Sequence, residues 1–228
     1  MDMKRVDSAS PEGDIRIVQL SEWKEASASL AEAFAEESSS LYILNTPDTA
    51  NWTPEQKWAL HILMMEFITY THLLKGLVIA AGPNYDCVSL WMPPGAENVG
   101  LLDTIRSGML RVKWALSKEG HKRYFDEFMP LLHDTKAQVL AERDNSSWYL
   151  VYIGTRPCSR GRGYARRVIE YVTQQADEEG KACYLESSSR ANCDFYRKRG
   201  FEFKKEIYLQ RAEKQVRLDI MVREPVMK

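Results

Sequence analysis

One stretch of the chain has residue types and spacing suited to anion chemistry: WYLVYIGTRPCSRGRGYA, from Trp148 to Ala165. It runs from an apolar strand through a proline-broken loop into closely spaced glycines that open an amphipathic helix. At that opening Arg160, Gly161, Arg162, Gly163, Tyr164 and Ala165 present backbone N–H groups with no partner inside the helix. The glycines lack the Cβ atoms that would keep an anion at a distance. Aligned peptide dipoles place roughly half a positive charge at such a helix end, and the two arginines add whole ones. A diphosphate suits this corner. The helix behind it sets Ala165, Val168, Ile169, Val172 and Ala176 on one face, so it packs on a sheet while its amino end stays open.

Spacing separates the known phosphate cradles. A Walker-type loop needs Lys and then Ser or Thr after its second glycine, where this chain has Tyr164 and Ala165. A dinucleotide fold would explain Glu186, an acid at the end of the next strand, about 20 residues beyond the glycines. There, however, the glycines follow the strand at once, whereas Thr155 to Ser159 intervene here and Arg166 takes the third glycine position. Arg160, Gly163 and Ala165 resemble the GNAT acetyltransferase signature of Gln or Arg, two residues, Gly, one residue, then Gly or Ala. RANCDFYRKRGF, from Arg190 to Phe201, resembles a second feature of that family, an asparagine, a Phe-Tyr pair and a Gly-Phe turn. The likeness runs from about Asp14 to Glu224, and WYLVYIGTRP and YLESSSRANCDFYRKRGF look most like the puromycin N-acetyltransferase type.

This resemblance implies an α/β fold with a mixed sheet of about seven strands, splayed between the fourth and fifth, with helices on both faces. It implies acetyl-coenzyme A as cofactor and direct attack of an amine on its thioester in a ternary complex. Ile153 and Thr155 would offer main-chain partners to the pantetheine arm, and Asn192 would bond it from the following helix. Tyr196, one turn after Asn192, would lie by the cofactor sulfur and protonate the leaving thiolate. An amine with a pKa near 10 arrives protonated, so the site needs a base. Glu186 fits that role from the strand end beside the splay, directly or through a water; its alternative is to cap the SSSRAN turn or pair with an arginine. Tyr149 and Tyr152 are rivals as proton carriers, and strand alternation allows only one of them to face the cleft. Asn192 also has the alternative of a helix N-cap, and Tyr196 that of helix packing.

Composition sets bounds. With 228 residues and 44% hydrophobic content, the chain can bury the core of one large domain. Its 31 basic and 32 acidic residues nearly cancel, so no global field draws it to nucleic acid or an anionic membrane. Cys87, Cys158, Cys183 and Cys193 show no CxxC spacing and read as free thiols of a reducing compartment. The opening MDMKRVDSASPEGD has no apolar segment, so residues 1–13 read as a disordered leader ahead of a single domain over 14–224. The apolar run from Trp58 to Ala81 is interrupted by His61, Glu66, His72 and Lys75, which argues against a bilayer span. Together these predict a soluble, cytoplasmic protein, monomeric or homodimeric, without nucleic-acid or membrane partners.

The elements follow from pattern. Ile15 to Leu20 reads as a first strand, with Ser21 capping a helix that carries Ala26, Leu30, Ala33 and Phe34 inward and dissolves at EESSS. Thr53-Pro54-Glu55-Gln56 starts a second helix that reaches Leu74. Strands near Gly76 to Ala81 and Cys87 to Trp91 form a hairpin. Two helices broken at Glu119 and Gly120 fill an insertion over about 95–136. Strand Ser147 to Ile153, helix Gly163 to Glu179, strand Lys181 to Glu186, helix Ala191 to Arg199 and a final hairpin complete the order. In that hairpin Val216, Leu218, Ile220 and Val222 alternate with polar positions as in a half-buried strand.

Other constellations carry less. His61, His72, His121 and His133 lack HExxH or triad spacing, so no metal is expected. Cys158 is an incidental loop cysteine, and KRYFDEF is a core or pocket stripe at helical spacing rather than an RNA surface. The insertion should wall the acceptor side, with Trp91, Trp114, Tyr124, Phe128 and Tyr149 lining a pocket for an amine on an apolar or aromatic body. A small-molecule amine is thus expected, a protein or peptide amine being the alternative. A sensor that binds acyl-coenzyme A without turning it over is the reading from another class.

Overall fold

A computed structural model describes residues 15–96 and 106–226. Seven strands form one sheet in the order β1-β2-β3-β4-β5-β7-β6. They are β1 (Ile15–Ile17), β2 (Leu77–Ala81), β3 (Cys87–Met92), β4 (Trp148–Thr155), β5 (Cys183–Ser187), β6 (Glu202–Leu209) and β7 (Val216–Arg223). Neighbours are antiparallel except β4 and β5, which run parallel. The expected mixed sheet is present, with helices on both faces.

On one face lie α1 (Trp23–Ala33), α2 (Ser38–Leu44), α3 (Pro54–Lys75) and the insertion helices. Helix α3 begins as its sequence predicts: Thr53 Oγ1 accepts the Gln56 N–H at 3.3 Å, and Gln56 Oε1 accepts the Thr53 N–H at 2.9 Å. Ser21 is not the cap of α1, because Gln19 and Glu22 form a reciprocal box around a 3-10 turn that leads into the helix. The first helix ends before EESSS, as expected, but the serines then open a further helix that the sequence pattern does not predict. The Glu37 side chain accepts the N–H groups of Ser39 at 2.8 Å and Ser40 at 3.2 Å, and α2 starts from that cap.

The insertion differs from expectation. Residues 97–105 lie outside the described part; α4 (Met109–Ala115) follows, and the break falls at Ser117, not at Glu119 and Gly120. Ser117 Oγ accepts the Gly120 N–H at 3.0 Å, so the glycine sits inside the first turn of the next helix. From there α5 (Lys118–His121), a π-helical stretch (Lys122–Phe128) and α6 (Met129–Leu140) run on without interruption. In the π stretch Met129 N–H reaches back five residues to Tyr124 O. Buried Arg123 fastens it, donating to Tyr42 O at 2.7 Å and Asn45 O at 3.2 Å and pairing with Glu119.

On the opposite face α7 (Tyr164–Glu178) buries Val168, Ile169, Val172 and Ala176 against the sheet, with Ala165 half-buried beside them. Helix α8 (Arg190–Arg197) adds Cys193 and Tyr196 to the same core. The final strand is not half-buried. β7 lies between β5 and β6, with residues 218–223 buried on both faces, and its polar members are paired: Asp219 with Arg217, and Arg223 with Asp177. Among the described residues, no helix is long and apolar enough to cross a membrane.

Candidate active site

β4 and β5 stay paired only through Trp148–Cys183, Tyr149–Tyr184 and Leu150–Leu185. Beyond Leu150, β4 continues along β3 to Thr155, while Glu186 and Ser187 of β5 follow β7. The strands part there, and the β4 edge past Leu150 has no strand beside it. Such an edge pairs readily with the amides of an extended ligand. Ile153 lies in the opening; Thr155 lies past it, opposite Cys87.

The glycine corner sits at the end of the same strand. Gly161 and Gly163 have φ of +80° and +77°, a left-handed region that favours glycine, and a Cβ built on either meets nothing within 4 Å. Gly163 is the N-cap of α7 and supplies no side chain to satisfy the amides of Tyr164 and Ala165. Arg160, Gly161 and Arg162 are exposed, Ala165 is half-buried, and Tyr164 is packed in the core beneath. The loop before them is pinned by Asp86, which accepts Ser159 Oγ–H at 2.7 Å and, at its carbonyl, Arg156 N–H at 2.8 Å. An open glycine corner at a helix amino end, next to an unpaired strand edge, fits a pyrophosphate carried on an amide-containing arm.

A cavity of about 450 Å³ opens from the parting of the strands toward the insertion. Tyr124, Phe128, Tyr149, Tyr152, Glu186 and Tyr196 line it, with Asn192. Both β4 tyrosines are therefore on the cavity side, contrary to strict alternation. The register with β3 steps from Trp91–Leu150 to Leu90–Tyr152, so Val151 is an extra residue, and this β-bulge returns Tyr152 to the face of Tyr149. Two expected lining residues are elsewhere. Trp91 is fully buried on the other face of the sheet, edge-on to Trp148 at 6.5 Å, and Trp114 is 86% exposed on α4. Strand parity explains the first; α4 simply presents the second to solvent.

Burial drives the electrostatics. Glu186 is pushed up to about 7 by desolvation, against the pull of the Tyr149 and Tyr184 hydroxyls and of Lys136, and its Oε1 is buried with no hydrogen-bond partner. It makes neither of the structural contacts considered from sequence, since its Oε1 caps no turn and it forms no ion pair among the described residues. Burial likewise raises the Tyr149, Tyr152 and Tyr196 hydroxyls above their ordinary value, so all three remain protonated at neutral pH. Tyr196 is both core and cavity wall, with its ring edge-on to Phe195 and Phe201. Asn192 is not an N-cap, because Ser189 holds that position and Asn192 lies inside α8, reaching the cavity.

Lys136 and Asp144 also line the cavity, and Tyr184 stands beside Glu186. No spacing in the sequence flags them, for the pair joins a helix to the turn after it. Cys87, Cys183 and Cys193 are buried free thiols; Cys158 is exposed. Of the histidines, His61 bonds Ala31 O and His72 bonds Ile68 O, each within the helical layer. Among the described residues no group of His, Cys, Asp or Glu is placed to hold a metal ion.

Splayed parallel strands, a glycine corner and a cavity between them define an acyl-coenzyme A transferase architecture. Comparison with known proteins agrees. Residues 133–203 match the acetyltransferase (GNAT) domain. An uncharacterized N-acetyltransferase of Schizosaccharomyces pombe is 42% identical over 209 residues, covering 91% of this chain and 82% of that one. The chain belongs to the GNAT N-acetyltransferases. In fold it is similar to arylalkylamine N-acetyltransferase 2 from Aedes aegypti, at TM-score 0.60, 15% identity and coverage of 93% and 99% of the two chains. It is also similar to an agmatine N-acetyltransferase mutant in its apo form, at TM-score 0.56, 14% identity and coverage of 93% and 100%.

Proposed function

We propose that this enzyme moves the acetyl group of acetyl-coenzyme A to the amine of a small molecule with an apolar or aromatic body, both being bound at once. The observation that carries the reading is the aromatic cavity at the strand opening, roofed by the insertion, with one buried carboxylate in its wall. Its volume of about 450 Å³ suits a drug-sized guest, and a roofed cavity suits a small amine better than a peptide in an open groove. The puromycin-like segments at the ends of β4 and β5, and a fold neighbour named as an arylalkylamine N-acetyltransferase, support the same class. Three buried free thiols suit a reducing compartment, and we place the enzyme in the cytoplasm.

The amides from Gly161 to Ala165, with Arg160 and Arg162, would hold the cofactor's pyrophosphate; the β4 edge at Ile153 and the side chain of Asn192 would hold its arm. When bound, the cofactor supplies an acetyl thioester. Glu186, with a proton affinity poised near neutrality, takes the proton that makes the ammonium unreactive. Tyr196, kept protonated by burial in the wall of the same cavity, would give its proton to the departing thiolate. The aromatic walls seat the body of the amine and keep water from the reacting face.

Thiol release measured against a panel of amines tests this. Wild type should release thiol only when an amine is present, Glu186→Gln should lower kcat/KM by about 10²–10⁴, and Tyr196→Phe should slow turnover without abolishing it. Coenzyme A binding with no amine-dependent release from any acceptor would instead identify a sensor.

A further inference from the structure

The charges around the cavity are few. Among the described residues that line it, Glu186, Asp144 and Lys136 are the groups charged at pH 8. His72 is held neutral by burial, down at about 4, and His133 stands at the rim with its side chain 80% exposed beside Asp134. Lys136 Nζ donates to both the carboxylate and, at 2.8 Å, the main-chain carbonyl of Asp144. It also lies 5.7 Å from the centre of the Tyr149 ring, whose hydroxyl faces Glu186. Lys136 and Asp144 are only 17% and 24% exposed.

We infer that Lys136 is a specificity-determining residue that restricts the acceptor to monoamines by cancelling the charge of Asp144. This rests on the amine-acceptor reading above and names the amine class. With Lys136 and Asp144 paired, the described lining carries one net negative charge when Glu186 is ionised. One entering ammonium neutralises it. A second ammonium on the same molecule would stand in a poorly hydrated, aromatic space, with no free carboxylate among the described residues to meet it and Lys136 to repel it. Without Lys136 the balance inverts, because Asp144 becomes an uncompensated acid that the distal ammonium of a diamine satisfies.

Hexylamine and 1,6-diaminohexane, equal in length and both fully protonated at pH 8, make the comparison. The full chain is assayed by thiol release, and amine binding is measured by calorimetry in the presence of coenzyme A. Wild type should favour hexylamine by at least about tenfold in kcat/KM, Lys136→Met should shift that ratio toward the diamine by about tenfold, and Lys136→Arg should restore it. Asp144→Asn, which leaves Lys136 unpaired, should weaken hexylamine binding. Equal use of the two amines by wild type, or a ratio unmoved in a Lys136→Met protein of normal melting temperature, overturns the inference while leaving the acetyltransferase reading standing. If wild type neither binds nor acetylates hexylamine but acetylates another amine of the panel, the inference falls and the acetyltransferase reading stands; no amine-dependent release with any acceptor overturns both.

Discussion

Replacing Glu186 with glutamine should stabilise the protein while disabling it. Burial lifts the carboxyl from an ordinary 4.5 to about 7, so the folded state holds its proton more tightly than the unfolded chain. The sign follows: the wild-type residue costs nothing below about pH 4.5, stability falls as pH rises toward 7, and the full penalty persists above it. At about 1.4 kcal/mol for each tenfold change in proton affinity, the penalty at pH 8 is roughly 3 kcal/mol. A neutral amide of the same shape escapes it, and the Tyr149 and Tyr184 hydroxyls remain at hand to accept its N–H groups. For a chain of this size the gain corresponds to a rise of about 6–12 °C in melting temperature at pH 8. At pH 5, where the wild-type carboxyl is protonated in the folded state, most of the gain should vanish. Paired thermal scans of both proteins at the two pH values decide it. A variant equally stabilised at both, or less stable than wild type at pH 8, would refute the claim that desolvation of an ionised carboxylate dominates this wall.

Gly163→Glu should weaken coenzyme A binding by more than about tenfold in calorimetry, because its side chain fills the anion corner; a Cβ there meets no protein atom within 4 Å, so the left-handed backbone costs only about 1–2 kcal/mol and the fold survives. Gly154→Val should destabilise the protein by about 3 kcal/mol in urea unfolding, because a Cβ at that position would stand 2.6 Å from Ala33 Cβ and 2.9 Å from the Phe34 ring. Arg123→Met should lower stability by about 3 kcal/mol, measured the same way, because it strips a buried guanidinium from the Tyr42 and Asn45 carbonyls and leaves Glu119 with one partner fewer.

Features carried by local chemistry were legible in the sequence. Thr53, Pro54 and Gln56 announce α3 because each acts within a single turn, and Val168, Ile169, Val172 and Ala176 announce the buried face of α7 because burial repeats with the helix. The glycine corner is legible for the same reason. Features that depend on distant neighbours were not. Glu37 caps α2 with a long side chain that a reading tuned to Ser and Thr passes over. The alternation in β7 stops at Met221, and the strand is central, so its residues from Leu218 to Arg223 are buried whether apolar or charged. The bulge at Val151 leaves no mark in composition, and it alone turns two tyrosines of opposite parity to one side. Lys136 and Asp144 meet only because α6 ends in a tight turn, and Trp91 was assigned to the wrong face because parity at β3 depends on its pairing with β4.

The π stretch from Lys122 to Phe128 holds one residue more than an α-helix of the same rise, as the five-residue bond from Met129 to Tyr124 shows. Loss of a single residue there would close the turn as ordinary helix of the same rise, so the later positions of α6 would keep their faces. Leu132 and Lys136 would stay on the cavity wall, and the change would fall on the part of that wall made by Tyr124 and Phe128, within the π stretch itself. The extra residue thus acts as a local register buffer: one aromatic wall of the cavity can change by insertion or deletion while the helix beyond it holds its place.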